Sequence, residues 1–116
     1  MKSTAKEVSL EWCAGFFEGE GCFRINFSKG KYKCGHVQMA QVSREPLDAF
    51  QNCMGVGVVN GPYGPYAANK QAYYNFNVYG QDAVDLVTRL LPYLFRKGEQ
   101  IKEALNELNE YQARAA

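Results

Sequence analysis

A single histidine, His36, is the only imidazole in this chain of 116 residues, and its cysteines, Cys13, Cys22, Cys34 and Cys53, include no CxxC pair. The usual spacing of a zinc site is therefore missing, as is that of a disulfide framework, and the thiols read as reduced and mostly buried. No apolar run approaches the ~20 residues that a membrane span needs. The N-terminus, MKSTAKEVSLEW, has no signal-peptide apolar core. Together these absences predict a soluble, intracellular protein. An apolar content of 47% suits one domain over residues 1–116, burying roughly 60 to 70% of its unfolded surface.

Strong net charge is also missing: the total is +1, which argues against a nucleic-acid binder that is basic all over. The distribution is less even. From Gly21 to Arg44 lie Arg24, Lys29, Lys31, Lys33 and Arg44 with no acidic residue, and from Gly55 to Gln81 the only charge is Lys70. The acids collect elsewhere, among them Glu7, Glu11, Glu18 and Glu20.

Residues 8–20 carry helical spacing, with Ser9 as cap and Val8, Trp12, Gly15 and Gly19 on one face. CFRINFS alternates Phe23, Ile25 and Phe27 with Arg24, Asn26 and Ser28, the pattern of a half-buried strand. SKGKYKCG reads as a turn, and HVQMAQV as the returning strand, with Val37 and Met39 inward and His36, Gln38 and Ala40 outward. Pro46 opens a short helix that Gly55 ends; GVGVVN and YYNFNVY form a second hairpin; residues 81–94 and 97–112 are helical, the last with Ile101, Leu105, Leu108 and Tyr111 in one stripe.

This order predicts an α+β layer fold with helices on one sheet face and the other face open. The open face would carry Arg24, Asn26, Ser28, His36, Gln38, Asn60, Tyr73, Asn75 and Asn77, flanked by Lys29, Lys31, Lys33 and Lys70, with Arg44 ending the acid-free stretch. Any solvated sheet face is polar, so this pattern alone leaves a bland reading open. The missing acids favour nucleic acid, since each carboxylate would repel phosphate.

Gly15 and Gly19 each cost about 1 kcal/mol in a helix interior. Lacking Cβ atoms, they allow another helix to approach closely. If that partner is the same helix of a second subunit, two-fold symmetry pairs the Glu20 carboxylates, which need a divalent cation such as Mg²⁺ to avoid repulsion. A second reading stands beside it, in which the glycines make a tight helix-to-strand turn and Glu20 is merely exposed.

Residues 13–21, CAGFFEGEG, resemble the LAGLIDADG motif of a family of homing endonucleases, with Cys13 at the first Leu, Glu18 and Glu20 at the two Asp positions and Gly21 last. MGVGVV and LPYLFRKGEQ are similar to later segments of the family's single-motif homodimeric members. The resemblance implies the αββαββα fold, a saddle-shaped antiparallel sheet on double-stranded DNA, and a homodimer through the motif helix. It implies that Glu20 and the Gly19 carbonyl bind Mg²⁺ or Mn²⁺, that Glu18 is structural, and that Gln41 and Lys97 act beside Glu20 on water and phosphate. The target would be a long pseudo-palindrome. An RNA maturase acting on introns, a non-cleaving DNA-binding regulator and a module that binds no nucleic acid are the competing functions; the first two need neither Glu20 nor Lys97.

Overall fold

Ser9 begins the first helix by accepting the backbone N–H of Trp12 on its hydroxyl at 3.0 Å. In the computed structural model, which describes residues 5–28, 32–65 and 71–115, this helix is α1 (Leu10–Glu20). It starts later than the spacing predicts because Ser9 is itself the extended cap residue, so Val8 lies outside the helix. Gly21 ends it in an extended conformation, and a Cβ there would lie 2.3 Å from the Phe17 ring. Only glycine lets that ring fold back across the turn.

Alternation then sets the sheet. Strand β1 (Cys22–Ser28) pairs antiparallel with β2 (Tyr32–Gln41), Phe23 opposite Val37 and Arg24 opposite His36. Helix α2 (Arg44–Met54) ends in a left-handed Gly55, φ 77°, whose N–H bonds the Gln51 carbonyl. The left-handed Gly57 follows, and a Cβ there would lie 2.3 Å from the Phe76 ring. These glycines delay the next strand, so β3 is Val58–Tyr63 rather than GVGVVN. It pairs with β4 (Tyr73–Tyr79), which pairs with β2, giving the order β1-β2-β4-β3.

Helix α3 (Gly80–Leu90) runs into a 3-10 turn over Leu91–Tyr93, where Pro92 cannot donate to a continuing helix. Helix α4 (Gly98–Ala115) closes the described chain. The element sequence is therefore α+β, as expected, with the helices packed on one sheet face.

That face holds Phe23, Val37, Met39, Val59, Phe76 and Val78, all buried against Phe17, Leu47, Phe50, Leu86, Leu90, Ile101 and Leu108. Phe50 meets Phe76 edge-on at 5.2 Å. Removing either ring to alanine would cost about 3–5 kcal/mol through lost burial and a cavity. Among the described residues no helix covers the opposite face, and this asymmetry positions the site.

Candidate nucleic-acid interface and the end of helix α1

Strand parity puts Arg24, Asn26, His36, Gln38, Ala40, Asn60, Asn75, Asn77 and Tyr79 on the face away from the helices. Arg24 donates to the Gln38 side-chain oxygen at 2.6 Å across β1 and β2. Asn60 lies opposite Asn75, with Tyr73 opposite Tyr63 farther along the edge. No acidic side chain is on the described strands. Lys29, Lys31 and Lys70 lie outside the described residues, as does the side chain of Ser28.

Three expected positions are corrected. Lys33, opposite Phe27, lies on the helix-facing side, where its ammonium pairs with Glu107 of α4 at 3.0 Å and stands over the Tyr111 ring. The first turn is shorter than SKGKYKCG, and extending β2 back to Tyr32 gives Lys33 the same parity as Val37. Arg44 begins α2 instead of extending the sheet; it pairs with Asp48 at 3.2 Å and stacks over Tyr74. His36 has the expected parity but is only 7% exposed, covered by Tyr79 and held between Asn26 and Asn77.

At the other end of this face, α1 delivers its acids. Glu18 accepts the backbone N–H groups of Phe95 at 3.1 Å and Lys97 at 2.9 Å. Partial burial works to raise this carboxyl, but the N–H groups of Lys97, Phe95 and Arg96, together with the Lys97 charge, outweigh it and hold Glu18 below its ordinary range. The same loop brings the Lys97 ammonium onto the carbonyls of Phe17 and Gly21, and over the Phe17 ring. Of three ammonium N–H groups, two are thereby directed at the helix end and one remains.

Glu20, two residues beyond Glu18, is exposed at the C-terminal end of α1. Gln41 is at the corresponding end of β2: Cys22 pairs with Gln38, so β1 starts near where β2 finishes. Gln41 is half-buried and shares its parity with Met39, toward the helices. Gly15 and Gly19 are also exposed, and a Cβ on either would touch nothing within 4 Å. Trp12, 39% exposed, stacks on Phe16 at 5.0 Å alongside them, while Val8 packs partly against the core.

Among the described residues no cluster of at least three His, Cys, Asp or Glu side chains could by itself hold a metal ion. One chain brings one carboxylate, Glu20, and the neighbouring Gly19 carbonyl, hard oxygen donors but too few for a magnesium shell. Cys13, at the motif's first position, is fully buried. Burial first, then contact with the Cys53 thiol, pushes its thiol up to about 12 despite the Arg89 charge, which makes it a packing residue. Cys22 is exposed and Cys34 and Cys53 are half-buried, so burial of the thiols is less complete than the sequence suggests.

Tyr79 is absent from the residues expected on the interface, although it is 56% exposed and stacks on His36. Its period-two relation to Tyr73, Asn75 and Asn77 carried the signal. The acceptors that Glu18 and the α1 carbonyls offer to residues 95–97 had no such local signal.

No family model and no curated protein matches the chain. Solved structures do. Similar over 89% of this chain and 67% of its own is the homing endonuclease I-CvuI in complex with its target, at 25% identity and a TM-score of 0.67. The LAGLIDADG homing endonuclease I-GzeII, in complex with a DNA target, is similar over 99% of this chain and 40% of its own, at 21% identity and 0.71. The archaeal intron-encoded homing endonuclease I-Vdi141I, complexed with DNA, is similar over 86% of this chain and 66% of its own, at 19% identity and 0.64.

Proposed function

We propose that this chain, whose fold is that of the LAGLIDADG homing endonucleases, is a site-specific double-strand DNA endonuclease that works as a homodimer. The observation that carries the reading is the end of α1, where an exposed Glu20 lies beside a glycine face bare of neighbours, next to an acid-free polar sheet. Paired through Gly15 and Gly19, two α1 helices bring two Glu20 carboxylates together where the sheets of both copies meet the DNA backbone.

The residues then divide the work. The sheet faces read two half-sites, with Arg24, Gln38, Asn26, Asn75 and Asn77 as candidates for base edges and Tyr73 and Asn60 nearer the rim. Glu20 and the Gly19 carbonyl of both copies would hold Mg²⁺ or Mn²⁺, which when bound supplies Lewis acidity and lowers the pKa of coordinated water. Lys97 is held on the Phe17 and Gly21 carbonyls, and its remaining N–H would serve the phosphate, where negative charge grows as the phosphodiester is hydrolysed. Glu18 keeps that lysine in place through the backbone of the same loop. Gln41, at the end of β2, orders water.

The deciding experiment selects cleaved sites from a randomised duplex library with Mg²⁺, wild type beside Glu20→Gln. One pseudo-palindromic site cut by the wild type alone is expected, with DNA binding retained in the variant. Binding without cutting by the wild type would point to a regulator or an RNA maturase instead, and cutting by Glu20→Gln would remove Glu20 from the mechanism.

A further inference from the structure

His36 is a buried imidazole on the face that should be wettest. The Asn26 Nδ2 amide lies 3.0 Å from its Nδ1, the Asn77 Oδ1 lies 2.8 Å from its Nε2, and the Tyr79 ring covers it at 4.2 Å with an interplanar angle of 11°. Both asparagines are diagonal neighbours of His36 in the register, one on β1 and one on β4, and both are partly accessible. The imidazole itself is too covered to touch a base.

A neutral imidazole has one N–H donor and one acceptor nitrogen. Two asparagines that share it must therefore turn opposite ends of their amides toward it, and so opposite ends outward. Asn77 gives its oxygen to the ring N–H, which leaves its amide nitrogen as the outer end. Asn26 gives an N–H to the ring, which leaves its oxygen outside. An asparagine with no such anchor flips freely and accepts either kind of base edge, whereas here one amide can flip only if His36 changes tautomer and the other amide flips with it, so the ring couples the two and keeps them opposite.

We propose that His36 is a positioning residue for sequence recognition, fixing Asn77 as a hydrogen-bond donor and Asn26 as an acceptor toward DNA. This rests on the DNA-binding function proposed above. Asn77 then selects an acceptor edge in the major groove, best of all the O6 and N7 of guanine, and Asn26 selects an amino group of adenine or cytosine. The residues form one reading unit across three strands.

Selection of bound sites from a randomised duplex library, without cleavage, tests this with the wild type, Asn77→Asp and His36→Phe. The wild type should prefer guanine by about ten-fold or more at one base pair of each half-site. Asn77→Asp still accepts the ring N–H on one oxygen but offers an acceptor outward, so preference there should move to cytosine. His36→Phe keeps a ring beneath Tyr79 and removes both hydrogen bonds; preference should relax at the base pairs read by Asn26 and Asn77 and persist at the one read by Arg24. If all three proteins select the same bases and differ only in affinity or melting temperature, His36 is structural and the proposal is wrong. If the wild type binds no duplex even at low salt, the nucleic-acid function fails and takes this proposal with it.

Discussion

The carboxylate of Glu18 accepts the backbone N–H of Lys97 at 2.9 Å, and the ammonium of the same lysine returns to the carbonyl of Phe17, the residue preceding Glu18, at 3.0 Å. Two residues 79 positions apart in sequence thus clamp one helix end. Because the folded protein holds Glu18 below its ordinary value of 4.5, the ionised form is favoured by folding. The stabilisation is fully present above the unfolded value and is lost as pH falls from there through the lower folded value. Glu18→Gln should therefore melt lower at neutral pH, by an amount on the order of 1 kcal/mol. Its stability should also fall less steeply than that of the wild type in acid. Parallel acid limbs in thermal melts of the two proteins would show that the contact is not formed in solution.

Lys97→Met keeps much of the stem packed on Phe17 but removes the charge. Cleavage of the selected site should fall by roughly 10² or more, by analogy with loss of one preorganised charge-stabilising donor, while the dissociation constant for uncut DNA changes little. A variant that binds as weakly as it cleaves would make Lys97 a docking residue only.

The glycines of α1 and its terminus should separate by assay. A Cβ at Gly15 meets nothing within 4 Å, and leucine is a better helix former than glycine, so the Gly15→Leu monomer should fold as well as the wild type or slightly better. Sedimentation should nevertheless show loss of the dimer, and cleavage should go with it. Gly21→Ala drives a methyl into the Phe17 ring and should instead lower stability by about 1–3 kcal/mol. A dimeric, active Gly15→Leu would exclude that face as the interface.

Lys33→Ala should not alter DNA binding, because its charge is directed to Glu107 and Tyr111 under α4; a loss of about 0–1 kcal/mol in stability is expected. A lower salt dependence of DNA affinity in this variant would return Lys33 to the phosphate contacts.

Thiol labelling of the folded protein offers an independent check on burial. Cys22 should react first, Cys34 and Cys53 more slowly, and Cys13, buried and with its thiol pushed up to about 12, only on unfolding. Rapid labelling of Cys13 would contradict the packing of α1 on α2.

What the sequence made legible was local. The alternation in CFRINFS gave β1 its observed bounds, and Ser9 was readable as a cap because its hydroxyl serves a residue three positions on. Positions decided by distant partners were not legible. Lys33 belongs to a segment that reads as a turn by composition, and only pairing with Phe27 reveals its parity. Arg44 looks like the end of a basic stretch until Asp48 and Tyr74 draw it onto α2. His36 alternates correctly, yet nothing adjacent to it in the chain announces that Tyr79 will lie over it. The acidic pair was placed by its resemblance to a known motif, while the different fates of Glu18 and Glu20 follow from where residues 95–97 return.

That return also orders events in time. All four strands and α2 precede residue 80, so a chain emerging from synthesis can assemble the sheet before the clamp on α1 exists. Contacts of such long sequence separation carry a large loop-closure cost and tend to form late. Lys97 reaches the helix end only after α3 has been made and the chain has turned at Pro92. Under the proposed function, the polar sheet face would precede the finished Glu20 environment, and a nascent chain would hold DNA before it is equipped to cut it.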